Sequence, residues 1–155
     1  MNMPSRKECM AILSKNKTPS NVIEHCKTVC KVAEDVANKL IKSGVKVNRD
    51  LVVAAALLHD VERLKDNHVI KGKELVAGLG YPEVATTMSK HSLFRVANNE
   101  PKTTEEKIVF YADKRVMHDK VVSMEERYRE IKERYNLDLK WELEYSKKIE
   151  KELLG

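Results

Sequence analysis

Apolar residues recur at helical spacing in one segment after another of this 155-residue chain, and no stretch of useful length alternates as a strand does. Aromatic residues make up only 5% of the chain, beside 5 glycines and 4 prolines, which argues against a barrel or sandwich of many short strands. The turns between the helical segments are short. The sequence therefore predicts an all-α fold, a compact helical bundle in which residues 1–155 form a single domain.

Turn and capping residues divide the chain into eight helical segments. Asn48 is an expected N-cap, Pro19 precedes a first turn, and Thr103 with Glu106 forms a capping box. Gly44 supplies the stop of the second helix. The expected helices cover about 5–15, 20–43, 49–62, one ending near 78–80, 82–92, one starting at 103, 123–135 and 139–154, with a loop at 98–101.

The positive charge of the chain is unevenly distributed. Residues 123–155 hold 8 basic and 9 acidic side chains, so of the net charge of +5 a charge of +6 falls on residues 1–122. That excess favours the approach of an anion. Because there is no concentrated Lys/Arg run and no set of aromatic residues for stacking on bases, a nucleic acid is not expected as a partner.

Nothing in the sequence indicates a membrane. The longest apolar run, 51–58, is too short to span a bilayer, and residues 1–19 show no apolar secretory segment. Three cysteines, Cys9, Cys26 and Cys30, cannot complete a disulfide framework, so we expect reduced thiols and a cytoplasmic location. Cys26 and Cys30 stand one helical turn apart, as two metal ligands do, but small buried residues explain them more simply, because a second such pair is missing.

Histidine and aspartate stand on apolar helix faces where a core residue is expected. Burying a carboxylate without a partner is costly, so the two aspartates need partners. A shared divalent cation would satisfy all of these side chains together, and a buried network of His–Asp hydrogen bonds is the alternative that the residues alone leave open. The side chains concerned are His25 in the stripe of Val22 and Val29, His59 and Asp60 at the end of the apolar run, His91 after Met88, and Asp113 after Val109.

The order of these residues carries family information. His25, then the adjacent pair His59-Asp60, then Asp113, resembles the pattern of the HD superfamily of metal-dependent phosphohydrolases. The apolar segment 51–63 and the segment 111–114 look like the family's motifs around its HD pair and its distal aspartate. The resemblance covers about residues 18–130, on which the helices of 123–155 are expected to pack. One departure is Glu62, which stands where many relatives have a small residue.

The resemblance implies a metal centre. His25, His59, Asp60 and Asp113 match the ligands of one divalent ion, and His68 and His91 match the extra histidines that bind a second metal or the substrate. In relatives with two metals the aspartate of the HD pair bridges both. The expected cofactor is therefore one or two divalent ions among Mn, Fe, Co, Ni, Zn and Mg, since the ligand types do not choose between them.

The resemblance also suggests residues for catalysis and phosphate binding. Arg63 is the first candidate for gripping a phosphate, because it follows His59 by four residues on the expected helix and a guanidinium can bind phosphate through two hydrogen bonds. Lys65 and Lys114 are further candidates. Glu62 is a candidate general acid or a partner of an imidazole. His118 matches no motif and is expected at the surface.

The activity that the resemblance implies is hydrolysis of a phosphate ester of a small molecule, a nucleotide or dinucleotide, by metal-activated water. Three alternatives stay open. These are a nucleotide-sensing module without turnover, a di-iron oxygenase of the same superfamily, and a small helical nucleic-acid-binding protein. The sequence leaves the substrate, the metal and the oligomeric state undetermined, a homodimer included.

Overall fold

Eight α-helices and one small antiparallel hairpin make up the part of the protein that the structure describes. The structure, a computed structural model, describes residues 2–92 and 99–155. The elements are α1 (Arg6–Lys15), α2 (Ser20–Lys42), α3 (Arg49–Leu58), α4 (His68–Gly78), α5 (Pro82–Met88), α6 (Thr104–Asp113), β1 (Val116–Met117), β2 (Lys120–Val121), α7 (Met124–Tyr135) and α8 (Lys140–Leu154). The predicted all-α fold is confirmed.

Helix α3 lies at the centre of the fold. Every residue from Leu51 to Leu58 is buried, so this helix must be covered on all its faces. Helices α1, α2, α5 and α6 pack around it. This arrangement brings the C-terminal end of α3 to the inside of the protein, beside the end of α6.

Helices α3 and α5 end four residues earlier than the apolar pattern suggests. In each case a histidine ring nitrogen bonds to a carbonyl oxygen of the last turn: Nδ1 of His59 lies 2.7 Å from Ala56, and Nδ1 of His91 lies 2.6 Å from Met88. The chain then continues in tight turns, such as the bond from Val61 to the carbonyl of Leu58. Each of these bonds holds the histidine ring next to the end of its helix.

The two C-terminal helices contact each other and the rest of the molecule. Helix α8 contacts α2, α6 and α7. Its Ser146 forms a buried hydrogen bond of 2.5 Å with the hydroxyl of Tyr128 on α7. These contacts hold α7 in place beside the end of α6. The assignment of the whole chain to one domain stays a prediction.

Most local signals are confirmed. Side chains of Ser5, Asn48, Thr103 and Ser123 cap their helices as N-cap acceptors. All three cysteines are free and buried. The hairpin of β1 and β2 was not predicted, because two-residue strands are too short to show a period. Residue Asn98 of the expected loop lies outside the described residues.

Within the described ranges, no helix combines the length and the apolar character that crossing a membrane requires.

Candidate metal centre

Four candidate ligands, which lie on or directly after three different helices, come together. His25 lies on α2, His59 and Asp60 follow α3 directly, and Asp113 is the last residue of α6; their donor atoms all lie within 4.8 Å of one another. Nε2 of His25 lies 3.2 Å from Oδ1 of Asp113, and Nε2 of His59 lies 3.3 Å from the same oxygen. The predicted set therefore meets at one point. His25 and Asp60 keep some solvent contact, with 12% and 10% of their side chains exposed, whereas the side chain of His59 is fully buried.

Backbone carbonyls fix the orientation of three imidazoles. Nδ1 of His25 lies 2.6 Å from the carbonyl oxygen of His118, and His59 and His91 make the equivalent bonds to Ala56 and Met88. A carbonyl oxygen can only accept, so each ring carries a proton on Nδ1. In the neutral ring Nε2 then offers a lone pair toward the aspartates, which is the state that a metal ligand needs.

The two aspartates are ionised despite their burial. Burial alone would raise their pKa values, but the neighbouring cations outweigh it: chiefly the His59 charge lowers the pKa of Asp60, and chiefly Lys114 lowers the pKa of Asp113, in both cases below the usual range. Burial likewise opposes the charged form of His59, yet Asp60 and Asp113 raise its pKa well above the usual value. Two buried carboxylates facing imidazoles are the ligand types that divalent transition metals accept.

A buried nitrogen without a hydrogen bond shows that a cation fits here. Among the described residues, none forms a hydrogen bond of acceptable geometry with Nε2 of His59, although oxygens of Asp60 and Asp113 lie 3.4 and 3.3 Å away. Burying a polar atom without a hydrogen bond costs free energy of folding. A divalent ion between Nε2 and the carboxylates would satisfy it, so the residues present fit the metal that the sequence suggests.

A second group of candidate ligands shares Asp60 with the first. Asp60, His68 and His91 also bring their donor atoms within 4.8 Å of one another. Oδ1 of Asp60 lies 3.4 Å from Nε2 of His91, while Oδ2 faces His25 and His59. Burial lowers the pKa of His68, which keeps its ring neutral near neutral pH. His68 therefore lies beside the centre, and Asp60 would serve both ligand groups if two ions were bound.

The structure changes the role expected for Lys114. Its side chain is buried, and its ammonium group donates to Oδ2 of Asp113 at 2.7 Å and to the carbonyl of His91 at 2.8 Å. Burial lowers the pKa of Lys114, although Asp113 opposes that change. Two of the three N–H donors of its ammonium group are thus used to position Asp113 and the segment after α5, so we assign Lys114 to ligand positioning. Because Lys114 also lines the cavity beside His68 and His91, phosphate binding through its remaining donor stays a prediction.

Glu62 also makes contacts that the sequence did not predict. Its two carboxylate oxygens accept hydrogen bonds from Asn16 on one side and from Lys65, at 2.6 Å, on the other. Burial raises the pKa of Glu62, but these two bonds outweigh it and leave the pKa lowered, so the group is ionised at neutral pH. The carboxylate therefore fastens the end of α1 to the turns after His59, and the roles of general acid or imidazole partner stay predictions. Lys65 is engaged in the same contact.

Arg63 faces two cavities on either side of the centre. One, of about 390 Å³, opens beside His25 and His118; the other, of about 230 Å³, opens beside His68 and His91. Because α3 ends at Leu58, Arg63 does not reach this position by helical spacing, but the turns bring it there. This placement agrees with the expectation that the guanidinium group of Arg63 lies near the candidate ligands.

Sequence reasoning missed two arginines and three supporting contacts. Arg127 and Arg134 of α7 line both cavities, although the sequence predicts only that the helices of 123–155 pack on the rest of the domain. Spacing alone does not separate them from a solvated face. The His118 carbonyl and the side chains of Asn16 and Thr18, which bond to the carbonyl of Val61, also hold the centre in place. The only signal for these contacts is tertiary.

Comparison with known proteins identifies the family. The family model described as HD domain matches residues 22–117, which is more than half of the chain and includes His25, His59, Asp60 and Asp113. The chain belongs to the HD domain family. The region matched by the HD domain ends before α7, so Arg127 and Arg134 lie outside it.

Relatives of this HD domain protein include proteins with different names. An uncharacterized protein of Methanocaldococcus jannaschii is 30% identical over 128 residues, covering 72% of this chain and 76% of its own. A tRNA (cytidine(56)-2'-O)-methyltransferase of Picrophilus torridus is 29% identical over 140 residues, 80% of this chain, and one of Thermoplasma volcanium is 27% identical. The chain spans only 40% of the length of either methyltransferase. No solved structure matches the chain.

Proposed function

We propose that this protein is a metal-dependent phosphohydrolase that cleaves a phosphate ester of a small molecule, a nucleotide or dinucleotide, in the cytoplasm. The observation that carries the proposal is the division of Asp60 between two ligand groups: Oδ2 faces His25 and His59, and Oδ1 faces His91. That arrangement suits one or two divalent ions. The three free cysteines support a reducing compartment.

When bound, the metal would polarise a phosphoryl oxygen and lower the pKa of a water molecule toward neutrality. The residues of the chain supply the rest. The Nδ1–H bonds hold His25, His59 and His91 with Nε2 toward the centre, and Lys114 fixes the carboxylate of Asp113. Arg63 stands beside Asp60 in both cavities, where its positive charge would bind and orient an anionic ester.

The test begins with the metal. Protein as isolated is analysed for metal identity and number per chain, then treated with a chelator and reloaded with Mn, Fe, Co, Ni, Zn or Mg. Each form is assayed against nucleoside mono-, di- and triphosphates, cyclic nucleotides and dinucleotides. We expect phosphate or nucleotide release that depends on metal, and activity that persists in metal-free protein would overturn the mechanism.

A matched pair of variants completes the test. The double variant His59→Ala with Asp60→Ala should stay helical by circular dichroism while it loses both metal and turnover. The control is Asp35→Ala, an exposed carboxylate on α2. Metal content and activity of the control should equal those of the wild-type protein. Equal losses of metal and activity in both variants would show that these losses do not come from removing the ligands.

A second candidate function is a nucleotide-binding module without turnover. The observation in its favour is that two relatives are named for methyl transfer to tRNA and not for hydrolysis, and this chain matches only part of them. Thermal stabilisation by nucleotides without turnover under any of the metals would favour it. Iron bound at two ions per chain with oxygen consumption would instead indicate the oxygenase alternative.

A further inference from the structure

Three guanidinium groups form one charged surface next to the candidate ligands, here called the arginine wall: Arg63, Arg127 and Arg134. Each of them lines both cavities, and so does Asp60. The wall therefore borders the metal centre from either opening. Any substrate that reaches Asp60 through one of these cavities passes the same three positive charges.

The wall extends outward from the centre along α7. At its inner end, Nε of Arg127 donates to the backbone carbonyl of Asp113 at 3.4 Å. Arg134 follows seven residues later, two helical turns on the same face, which places its backbone about 10 Å farther along the axis. At that outer end the guanidinium of Arg134 lies 5.6 Å from the ring centre of Tyr135, and Arg134 and Arg63 lower the pKa of that tyrosine. The guanidinium groups of Arg127 and Arg134 lie closer together than their backbones, because the carboxylate of Glu130 pairs with both.

Glu130 holds the wall together. One of its carboxylate oxygens pairs with Arg127 at 3.1 Å, and the other pairs with Arg134. These pairs restrict the rotamers of two long side chains before any ligand arrives, which lowers the entropic cost of binding. Three positive charges nevertheless face only one negative one in the wall. Lys114 adds no free charge, because Asp113 already binds it.

The charges of the ligand aspartates do not cancel this excess once a cation is bound. Asp60 and Asp113 would then be neutralised by the ion they hold. Glu130 balances one of the three guanidinium charges, so a substrate with a single phosphate at the centre would leave the other two without a counter-ion. A second phosphate group on the same substrate would provide one, and guanidinium groups bind phosphate through paired hydrogen bonds.

We propose that Arg127 and Arg134 of α7, with Arg63, are specificity-determining residues that bind a second phosphate group of the substrate. The proposal rests on the proposed function for the reaction at the centre, but the binding itself requires no turnover. The element that carries it, α7, lies outside the region matched by the HD domain. The substrate class is therefore a compound with at least two phosphate groups.

The test compares two anions on the protein as isolated. Calorimetric titration with inorganic phosphate and with pyrophosphate gives the two dissociation constants, and metal content is measured before and after each titration. We expect pyrophosphate to bind at least about tenfold more tightly than phosphate in the wild-type protein. The absence of that preference would overturn the proposal, as would a preference explained by loss of metal to pyrophosphate.

Variants on α7 locate the effect. Arg134→Ala should remove most of the preference for pyrophosphate while it leaves phosphate binding within about twofold. Arg127→Ala together with Arg134→Ala should weaken both anions, with metal content unchanged. The matched control is Arg129→Ala, an exposed arginine of the same helix, which should behave as wild type. If Arg134→Ala retains the preference, or if Arg129→Ala loses it equally, the proposal is wrong.

The same experiment separates this proposal from the proposed function. A wild-type protein that hydrolyses no phosphate ester but shows an Arg134-dependent preference for pyrophosphate would support the wall and contradict the hydrolase. A protein that hydrolyses nucleotides but shows no effect of Arg134→Ala, on pyrophosphate binding or on the KM ratio of diphosphate to monophosphate substrates, would support the hydrolase and contradict the wall.

Discussion

The ammonium group of Lys114 lies 2.7 Å from Oδ2 of Asp113, while Oδ1 of the same carboxylate faces Nε2 of His25 and His59 at 3.2 and 3.3 Å. The carboxylate is thus divided between a positioning cation and the candidate metal centre. Both side chains are buried, and Lys114 also binds the carbonyl of His91. Lys114 therefore links the end of α6 to the segment after α5, so that ligands from two elements keep their relative positions.

Replacing Lys114 by methionine should destabilise the protein and weaken metal binding. Removal of one partner of a buried ion pair leaves the other charge uncompensated, and we expect a loss of about 3 kcal/mol in the free energy of unfolding of metal-free protein. Urea denaturation measures it. The control is Lys107→Met, which breaks a partly exposed pair with Glu152 and should cost less than about 1 kcal/mol. Similar losses in the two variants would contradict a positioning role.

Glu62→Gln separates a structural carboxylate from a general acid. The pKa of Glu62 is lowered in the folded protein, so its contribution is fully present above the unfolded pKa of about 4.3 and is lost as the pH falls through the folded value. We expect the variant to be about 1 kcal/mol less stable at pH 7, with a difference that shrinks below about pH 4. Denaturant unfolding at several pH values measures this difference.

The activity of Glu62→Gln tests whether the carboxylate acts as the general acid. Its kcat, metal content and pH–rate profile should match those of wild type, because the carboxylate binds Asn16 and Lys65. Loss of one limb of the pH–rate profile would instead assign the general acid to Glu62. Glu24→Gln, at an exposed position of α2, serves as the control for a change of one surface charge.

Two substitutions of His118 test whether its carbonyl orients His25. His118 has φ of 57°, a region that glycine adopts freely and proline cannot reach. His118→Gly should retain the bond to Nδ1 of His25 and gain up to about 1 kcal/mol of stability. His118→Pro should displace the carbonyl and weaken metal binding about 10- to 100-fold by titration with Mn²⁺. If glycine weakens binding as much as proline does, the imidazole of His118 is what matters.

His68→Ala should affect one metal ion and leave the other. Because His68 belongs only to the group with Asp60 and His91, we expect the number of bound ions to fall from two to one, measured by elemental analysis after dialysis. His25→Ala should instead weaken the ion held with His59 and Asp113. A wild-type protein with a single ion, or a His68→Ala variant that keeps two, would exclude His68 from the ligands.

Local signals predicted the elements of this fold well, since caps and apolar stripes act within a few residues of themselves. Asn48 and Thr103 cap the helices expected of them. The predicted ends of α3 and α5 lie too late, because residues such as Val61 and Ser89 stay buried in the tight turns that follow, and apolar periodicity does not distinguish a buried turn from further helix.

The sequence by itself determined the helical class, the order of His25, His59-Asp60 and Asp113, and their position on apolar helix faces, because periodicity and motif order are properties of the chain. The tertiary structure alone decided which neighbouring charges face that centre. It directed Glu62 toward Asn16, bound Lys114 to Asp113, and brought Arg127 and Arg134 from α7 to the cavities beside Asp60. A charged residue on a solvated face has the same sequence pattern as one on a cavity wall. Only the packing of distant helices decides which of the two environments the residue has.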